Sequence, residues 1–265
     1  MLLLLLATEL SAVFKQQESC SFKHRFILLG GFAIFGITNL IDHPAELRNN
    51  MEKVEDNLDI QTISPYEYQN GAQWDWFGGR MIYAMFENGF SELAKEKLIE
   101  IFSKNLANRG FFEWDNKEGI GQGSDFYCGS AGSLGKALLE GYFGIKLGRD
   151  YLNIEPKIGR DSAKIHVYQP ANDIFVTYEY SFDESEGQLS LSYNSNFPHD
   201  GSLRILIPWL NKVDREERLK RNLEVQIDGK LTDFKLETIN NDSFVVIDTD
   251  FDNHTARVFM NRLVH

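Results

Sequence analysis

The hydrophobic period of this chain changes once, near Asp150. Before that point apolar residues recur at intervals of three and four; after it they alternate with polar ones. The first spacing belongs to helices with one buried face and the second to strands with one buried face. A chain carrying both in succession is predicted to fold as α+β, helices first and strands second. The segments "KIHVYQ", "DIFVTYEYSF", "GQLSLSYNS", "SLRILIPWL", "LEVQIDGK" and "SFVVIDTD" all alternate, and Gly, Asn and Asp clusters part them. "IDGK" and "DESEGQ" carry the residues of hairpin turns. Residues 149–265 are therefore expected to form an antiparallel β-domain, a sandwich.

The first part reads as helices in pairs. Residues 23–42, "KHRFILLGGFAIFGITNLID", are apolar on most sides and bracketed by charge. Pro44 then permits an amphipathic surface helix, "AELRNNMEKVED". A helix from Asp75 to Asn88 is ended by Gly89, and Ser91 caps the next one, whose Leu93, Ala94, Leu98, Ile101 and Phe102 keep helical spacing. A last helix, "SDFYCGSAGSLGKALLEGYFGI", has small residues suited to close packing. Together these make about three helical hairpins over residues 23–148, each leaving an apolar inner face in need of a neighbour. Residues 1–22 are expected to be irregular. "MLLLLLATEL" lacks a basic flank and is too short to span a bilayer, and the preferred reading is that this start is not the start of a complete domain.

The formal net charge of -12, with no basic cluster, argues against nucleic acid and anionic membranes as partners. The two cysteines lie far apart and the six histidines show no ligand spacing, so neither a disulfide framework nor a zinc site is expected. Cys128 reads as a buried thiol.

Two stretches are unusually dense in aromatic and hydrogen-bonding residues. "YQNGAQWDWFGGRM", residues 68–81, sets Tyr68, Trp74, Trp76 and Phe77 among Asn70, Gln73, Asp75 and Arg80. "FFEWDNKEGIGQGS", residues 111–124, places Glu113 between Phe112 and Trp114. A carboxylate between bulky rings is partly desolvated, which raises its pKa and suits a base working near neutral pH. The plainer reading of Glu113 is a loop carboxylate that caps a helix or pairs with Arg80, and core filling is the plainer reading of Trp74 and Trp76. Residues two apart rarely share one helical environment, so at least one of these two indoles is expected at a surface or cleft. Asp115 and Glu118 read as members of a solvated turn. Loops 66–78 and 110–124 are expected side by side at a common rim.

Paired helices followed by a β-domain resemble the C-terminal half of the six-hairpin, or (α/α)6-barrel, glycosidases. "YQNGAQWDWFGGR" is similar to the aromatic Asn-Gly loop of trehalases and mannosyl-oligosaccharide glucosidases. "FFEWDNKEGIGQGSDFYCGSAGSL" resembles the last-hairpin segment of glucoamylases, and "YFGIKLGRDYLNIEPKIG" resembles the passage from barrel to β-domain in glycoside phosphorylases and rhamnosidase-like enzymes. The resemblance implies the C-terminal part of such a barrel, with Glu113 where the family keeps its catalytic base. It also implies a sugar pocket lined by Trp74, Asp75, Trp76, Arg80, Trp114, Gln122 and Tyr127. Indoles stack on the apolar faces of a sugar ring while amides, carboxylates and guanidinium groups bind its hydroxyls.

The activity so implied is inverting hydrolysis of α-glucosides or related oligosaccharides, with no metal or organic cofactor. The family's general acid matches no segment here, so a missing N-terminal half or self-association is expected. Two alternatives stand beside it. One is a glycoside phosphorylase, for which Arg80 and Ser124 are the phosphate-binding groups in view; the other is a truncated, non-catalytic carbohydrate-binding remnant. A cytoplasmic location is favoured.

Overall fold

The computed structural model describes residues 66–68, 70–208 and 223–260. The helices expected over 23–42 and 45–56, and the irregular segment 1–22, lie outside the described residues.

Helix α1 (Asp75–Glu87) buries Asp75, Gly79, Ile82 and Phe86, a single stripe at helical spacing. Its stripe meets α3 (Cys128–Lys136) at very close range. A Cβ on Gly79 would lie 2.6 Å from the Ser133 carbonyl carbon, so the two backbones approach through a position that only glycine fits. Helix α2 (Ser91–Asn108) buries Ala94, Leu98 and Asn105 on its inner face. Ser91 is the first residue of α2 and its own side chain does not cap the helix. The cap comes from Asp242, whose Oδ2 accepts from the Ser91 N–H at 3.1 Å and from the Ser91 Oγ at 2.5 Å. A carboxylate there satisfies orphan donors and faces the positive end of the helix. Beyond α3 the helix widens into a π-helical segment over Ala137–Tyr142, where Gly141 lets the Phe86 ring approach. Ile82, Phe86, Ala94, Leu98, Leu134 and Ala137 form the core of this part.

These helices do not make part of an (α/α)6 barrel, and the expectation drawn from the resemblance is corrected here. Among the described residues there are three α-helices, and residues in strands outnumber those in helices. A barrel section requires successive pairs of inner and outer helices. Here α1 and α2 form one hairpin, and α3 packs on α1 but has no helical return partner among the described residues, where the chain turns from the π-helical segment into strand β3 (Ile145–Leu147).

Two sheets follow. A six-stranded antiparallel sheet contains β5 (Ala163–Gln169), β6 (Ile174–Asp183), β7 (Gln188–Ser195), β9 (Leu223–Ile227), β10 (Lys230–Leu231) and β13 (His254–Met260) in the order β10-β9-β13-β7-β6-β5. A five-stranded sheet contains β3, β4 (Leu152–Ile154), β8 (Gly201–Leu206), β11 (Lys235–Ile239) and β12 (Asp242–Thr249) in the order β11-β12-β8-β4-β3. This second sheet is mixed: β4 pairs with β8 in parallel, Asn153 opposite Ser202. Alternation buries Ile174, Val176, Tyr178 and Tyr180 of β6, and Leu203 and Ile205 of β8, in one shared core. The buried tyrosines keep hydroxyl partners, Tyr178 donating to the Phe143 carbonyl at 2.7 Å and Tyr180 to the Gly159 carbonyl at 2.6 Å.

An ion network ties helix to sheet. Lys146 of β3 reaches Glu87 of α1 at 2.7 Å and Glu155 at 2.9 Å, and Lys157 reaches Glu87 at 3.3 Å. Burial pushes the Lys157 ammonium below its ordinary range, with Glu155 and Glu87 opposing.

Candidate functional site

The two aromatic stretches meet through main chain. Gln73 donates to the Asp115 carbonyl at 2.9 Å, and the Asp115 N–H donates back to Gln73 at 2.8 Å. Asp115 belongs to β1 (Trp114–Asp115), which pairs with β2 (Gly121–Gln122), Trp114 opposite Gln122. The β1–β2 connection folds because Asn116 Oδ1 accepts from the N–H groups of Glu118 and Ile120, and Gly119 takes a positive φ of 77°. Gln73, β1 and β2 thus make a miniature three-stranded ladder joining loops 66–78 and 110–124.

Side chains converge on this junction. The Tyr68 ring lies 5.1 Å from Trp74 and 6.2 Å from Trp114, edge-on to the latter. The Trp74 indole N–H donates to the Tyr68 carbonyl at 3.1 Å, which fixes that ring. Glu113 is half-buried. Its N–H donates to the Ser124 carbonyl at 3.0 Å, and its Oε2 accepts from the Ser124 N–H at 3.3 Å. Gly123 has a φ of +71°, and a Cβ there would lie 2.7 Å from Glu113 Oε2 and 2.8 Å from Trp114 Nε1. The carboxylate oxygen and the indole nitrogen therefore flank one bare glycine. An acceptor and a donor next to aromatic faces are what binding a neutral polyhydroxylated ring requires. Arg80 does not pair with Glu113; its guanidinium stacks 4.7 Å over the Trp76 ring.

The remaining sequence-predicted residues divide. Trp76 packs on Phe77 with ring centroids 3.7 Å apart, and its indole N–H is buried without a hydrogen-bond partner among the described residues. Trp74 and Trp76 thus face different neighbours, since Trp74 is the extended residue before α1 and Trp76 lies in its first turn. Tyr127 precedes α3; its N–H donates to the Phe111 carbonyl at 2.7 Å and its ring covers Gly129. Asp75 is 3% exposed and spends its carboxylate on Lys104 at 2.6 Å and on Asn105 at 2.6 Å. It is an internal ion-pair partner and not a free arm for sugar.

Two further expectations are corrected. Asp115 does not lie in a solvated turn: it is 1% exposed, and Lys104 and Asn108 hold its carboxylate. Burial lifts this carboxyl above its ordinary range, with Lys104 pulling the other way. Cys128 is an exposed free thiol and not a buried one, because it opens α3 on the solvent side.

Sequence reasoning missed Lys104, Asn105, Asn108 and Gly123. One signal was present: Asn105 continues the buried stripe of Ala94 and Leu98, and an amide on such a stripe must find buried partners. The groove of about 280 Å³ between α2 and the π-helical segment, lined by Leu98, Ile99, Phe102, Leu106, Leu138 and Tyr142, is mainly apolar and includes none of the predicted site residues.

No protein-family model matches the chain, and no curated protein does. Among solved structures, a GH127 beta-L-arabinofuranosidase from Geobacillus stearothermophilus T6 is similar at 13% identity and a TM-score of 0.36, over 70% of this chain. The chain spans 30% of the length of that structure. At that TM-score the likeness establishes neither a shared fold nor a shared activity.

Proposed function

We propose that the chain is a carbohydrate-active protein that binds an α-glucoside or related oligosaccharide at the junction of residues 68–74 with residues 113–124. The observation that carries this reading is the Gln73–Asp115 backbone pair, which brings Tyr68, itself packed on Trp74, against Trp114 beside the Glu113 carboxylate. In the hydrolytic form of the reading, Glu113 is the general base of an inverting glycoside hydrolase. It takes a proton from the attacking water while the indoles hold the ring by stacking. Inversion also requires a general acid, roughly 6.5–9.5 Å from the base in such enzymes. Asp75 and Asp115 do not fill that role, since both are engaged by Lys104. This engagement favours a second reading, in which the chain binds sugar without cleaving it. The test is to incubate the chain with maltose, maltotriose and trehalose while following product anomers by NMR and binding by calorimetry. Release of the inverted anomer supports the hydrolase, binding without turnover supports the second reading, and absence of both refutes the carbohydrate assignment.

A further inference from the structure

We propose that Lys104 is the positioning residue of this site: one ammonium, shared by Asp75 and Asp115, holds the helix that begins beside Trp74 against the hairpin that carries Glu113. The inference rests on the carbohydrate reading above. Asp75 follows Trp74 directly and opens α1; Asp115 follows Trp114 directly and lies two residues past Glu113. Both aspartates are buried, at 3% and 1% exposure. Lys104 bonds each of them from α2, with 2.6 Å to Asp75 Oδ1. Its neighbours on the last turns of α2 complete the clamp. Asn105 Nδ2 donates to Asp75 Oδ2 at 2.6 Å, and Asn108 Nδ2 donates to Asp115 Oδ1 at 3.3 Å and to the Gly119 carbonyl at 2.9 Å.

The clamp is needed because what it supports is weak on its own. Strands β1 and β2 have two residues each, and Gln73 adds one bridge. A ladder that short is marginal in water without outside support. Two buried carboxylates without a cation would repel each other and force the two segments apart. With the ammonium between them, the separation of Trp74 from the Trp114–Glu113 edge is set by two charge-assisted hydrogen bonds to one atom. A lysine suits this better than an arginine, since a compact ammonium serves two acceptors from a point whereas a planar fork favours one carboxylate.

The experiment uses the full chain, with maltotriose as the probe. Amide hydrogen exchange reads the junction, and calorimetry reads affinity. Lys104→Met is expected to speed exchange of the Gln73 and Asp115 amides by about tenfold or more while the Val176 and Leu191 amides keep their protection. Maltotriose affinity should fall by about tenfold or more in the same variant. Asp115→Asn, which replaces one of the two charge-assisted bonds by a neutral one, should move both readouts in the same direction by a smaller factor, about threefold. If Lys104→Met does not fold, Asn108→Ala is read in its place, with an expected change of about threefold in both. Unchanged exchange at Gln73 and Asp115 overturns the clamp, and faster exchange with undiminished affinity overturns its role in positioning. Should the unaltered chain bind no maltotriose, the positioning of a maltotriose site is overturned with the reading it rests on, while the exchange data alone still decide whether Lys104 holds the junction.

Discussion

At the residue scale the proposed site depends on two positions with opposite demands. Glu113 must present a carboxylate, and Gly123 must present nothing. Replacing Glu113 by Gln keeps size and one acceptor oxygen but removes the ability to take a proton. In the hydrolase reading, binding should survive, while turnover falls by ~10²–10⁴-fold, as for loss of a positioned general base. Calorimetry and anomer-resolved NMR on the same pair of proteins check both halves, with Glu118→Gln as the control that should change neither. Gly123→Ala should act through geometry. The new methyl group would meet Glu113 Oε2 at 2.7 Å and Trp114 Nε1 at 2.8 Å, on a backbone with a φ of +71°. We expect about 1–2 kcal/mol of lost stability from the left-handed backbone, read by urea denaturation, and a clear loss of sugar affinity. Glu113, Trp74 and Trp114 stand out as candidates in the sequence by residue type and crowding. The buried ion pair of Asp115 does not. The Asp115 partners Lys104 and Asn108 lie 11 and 7 positions away, and "DNKEG" reads locally as a polar turn.

At the element scale, glycines in the helices test the packing. Gly79 of α1 touches the backbone of α3, where a Cβ would lie only 2.6 Å from the Ser133 carbonyl carbon and 2.8 Å from the Leu134 nitrogen. Gly79→Ala should therefore cost about 1–3 kcal/mol by overpacking. Gly132 and Gly135 of α3 are exposed, and a Cβ at either meets nothing within 4 Å. The same substitution there should stabilise by about 0.5–1 kcal/mol, because alanine loses less backbone entropy in a helix. Urea midpoints of the three variants measure the contrast. Strands were the most legible elements, since alternation in segments such as "DIFVTYEYSF" is a local signal of a half-buried strand. The Asp228-Gly229 turn was legible for the same reason, and both residues take the positive φ that "IDGK" implies. Other features depend on distant chain. Nothing near Ser91 announces that Asp242 caps α2, and nothing in "YLNI" announces that β4 pairs in parallel with β8.

At the scale of the whole molecule, the barrel expected from the resemblance fails because local motifs say what a loop is made of and not how many helices surround it. The sheets carry a pH dependence of their own. His254 of β13 bonds Asp228 Oδ2 through Nδ1 at 2.6 Å and Asp250 Oδ1 through Nε2 at 2.7 Å, joining two turns of the β-domain. The hydrogen bond to Asp228 raises the imidazole above its ordinary value of 6.5, burial opposes it, and Asp250 adds to the rise. The Thr255 N–H and then His254 hold the Asp228 carboxyl below its ordinary 3.8, and the Asp252 N–H and then His254 do so for Asp250. A raised histidine contributes stability that is complete below its unfolded value and lost as pH rises through its folded one. Lowered carboxyls contribute above their unfolded value and lose it as pH falls through the folded one. The triad should thus stabilise most fully between about pH 4 and 6.5 and weaken toward alkaline pH. His254→Gln should flatten the alkaline side of a urea-midpoint profile against pH. The central claim concerns where sugar binds, and indole NMR tests it most directly. On adding maltotriose to the ¹⁵N-labelled chain, the indole N–H signals of Trp74 and Trp114 and the amides of Gln122, Gly123 and Ser124 should shift in a saturable manner, while amides of β9 and β13 stay fixed. Saturable shifts confined to other parts of the molecule, or none at all at millimolar sugar, would contradict the account.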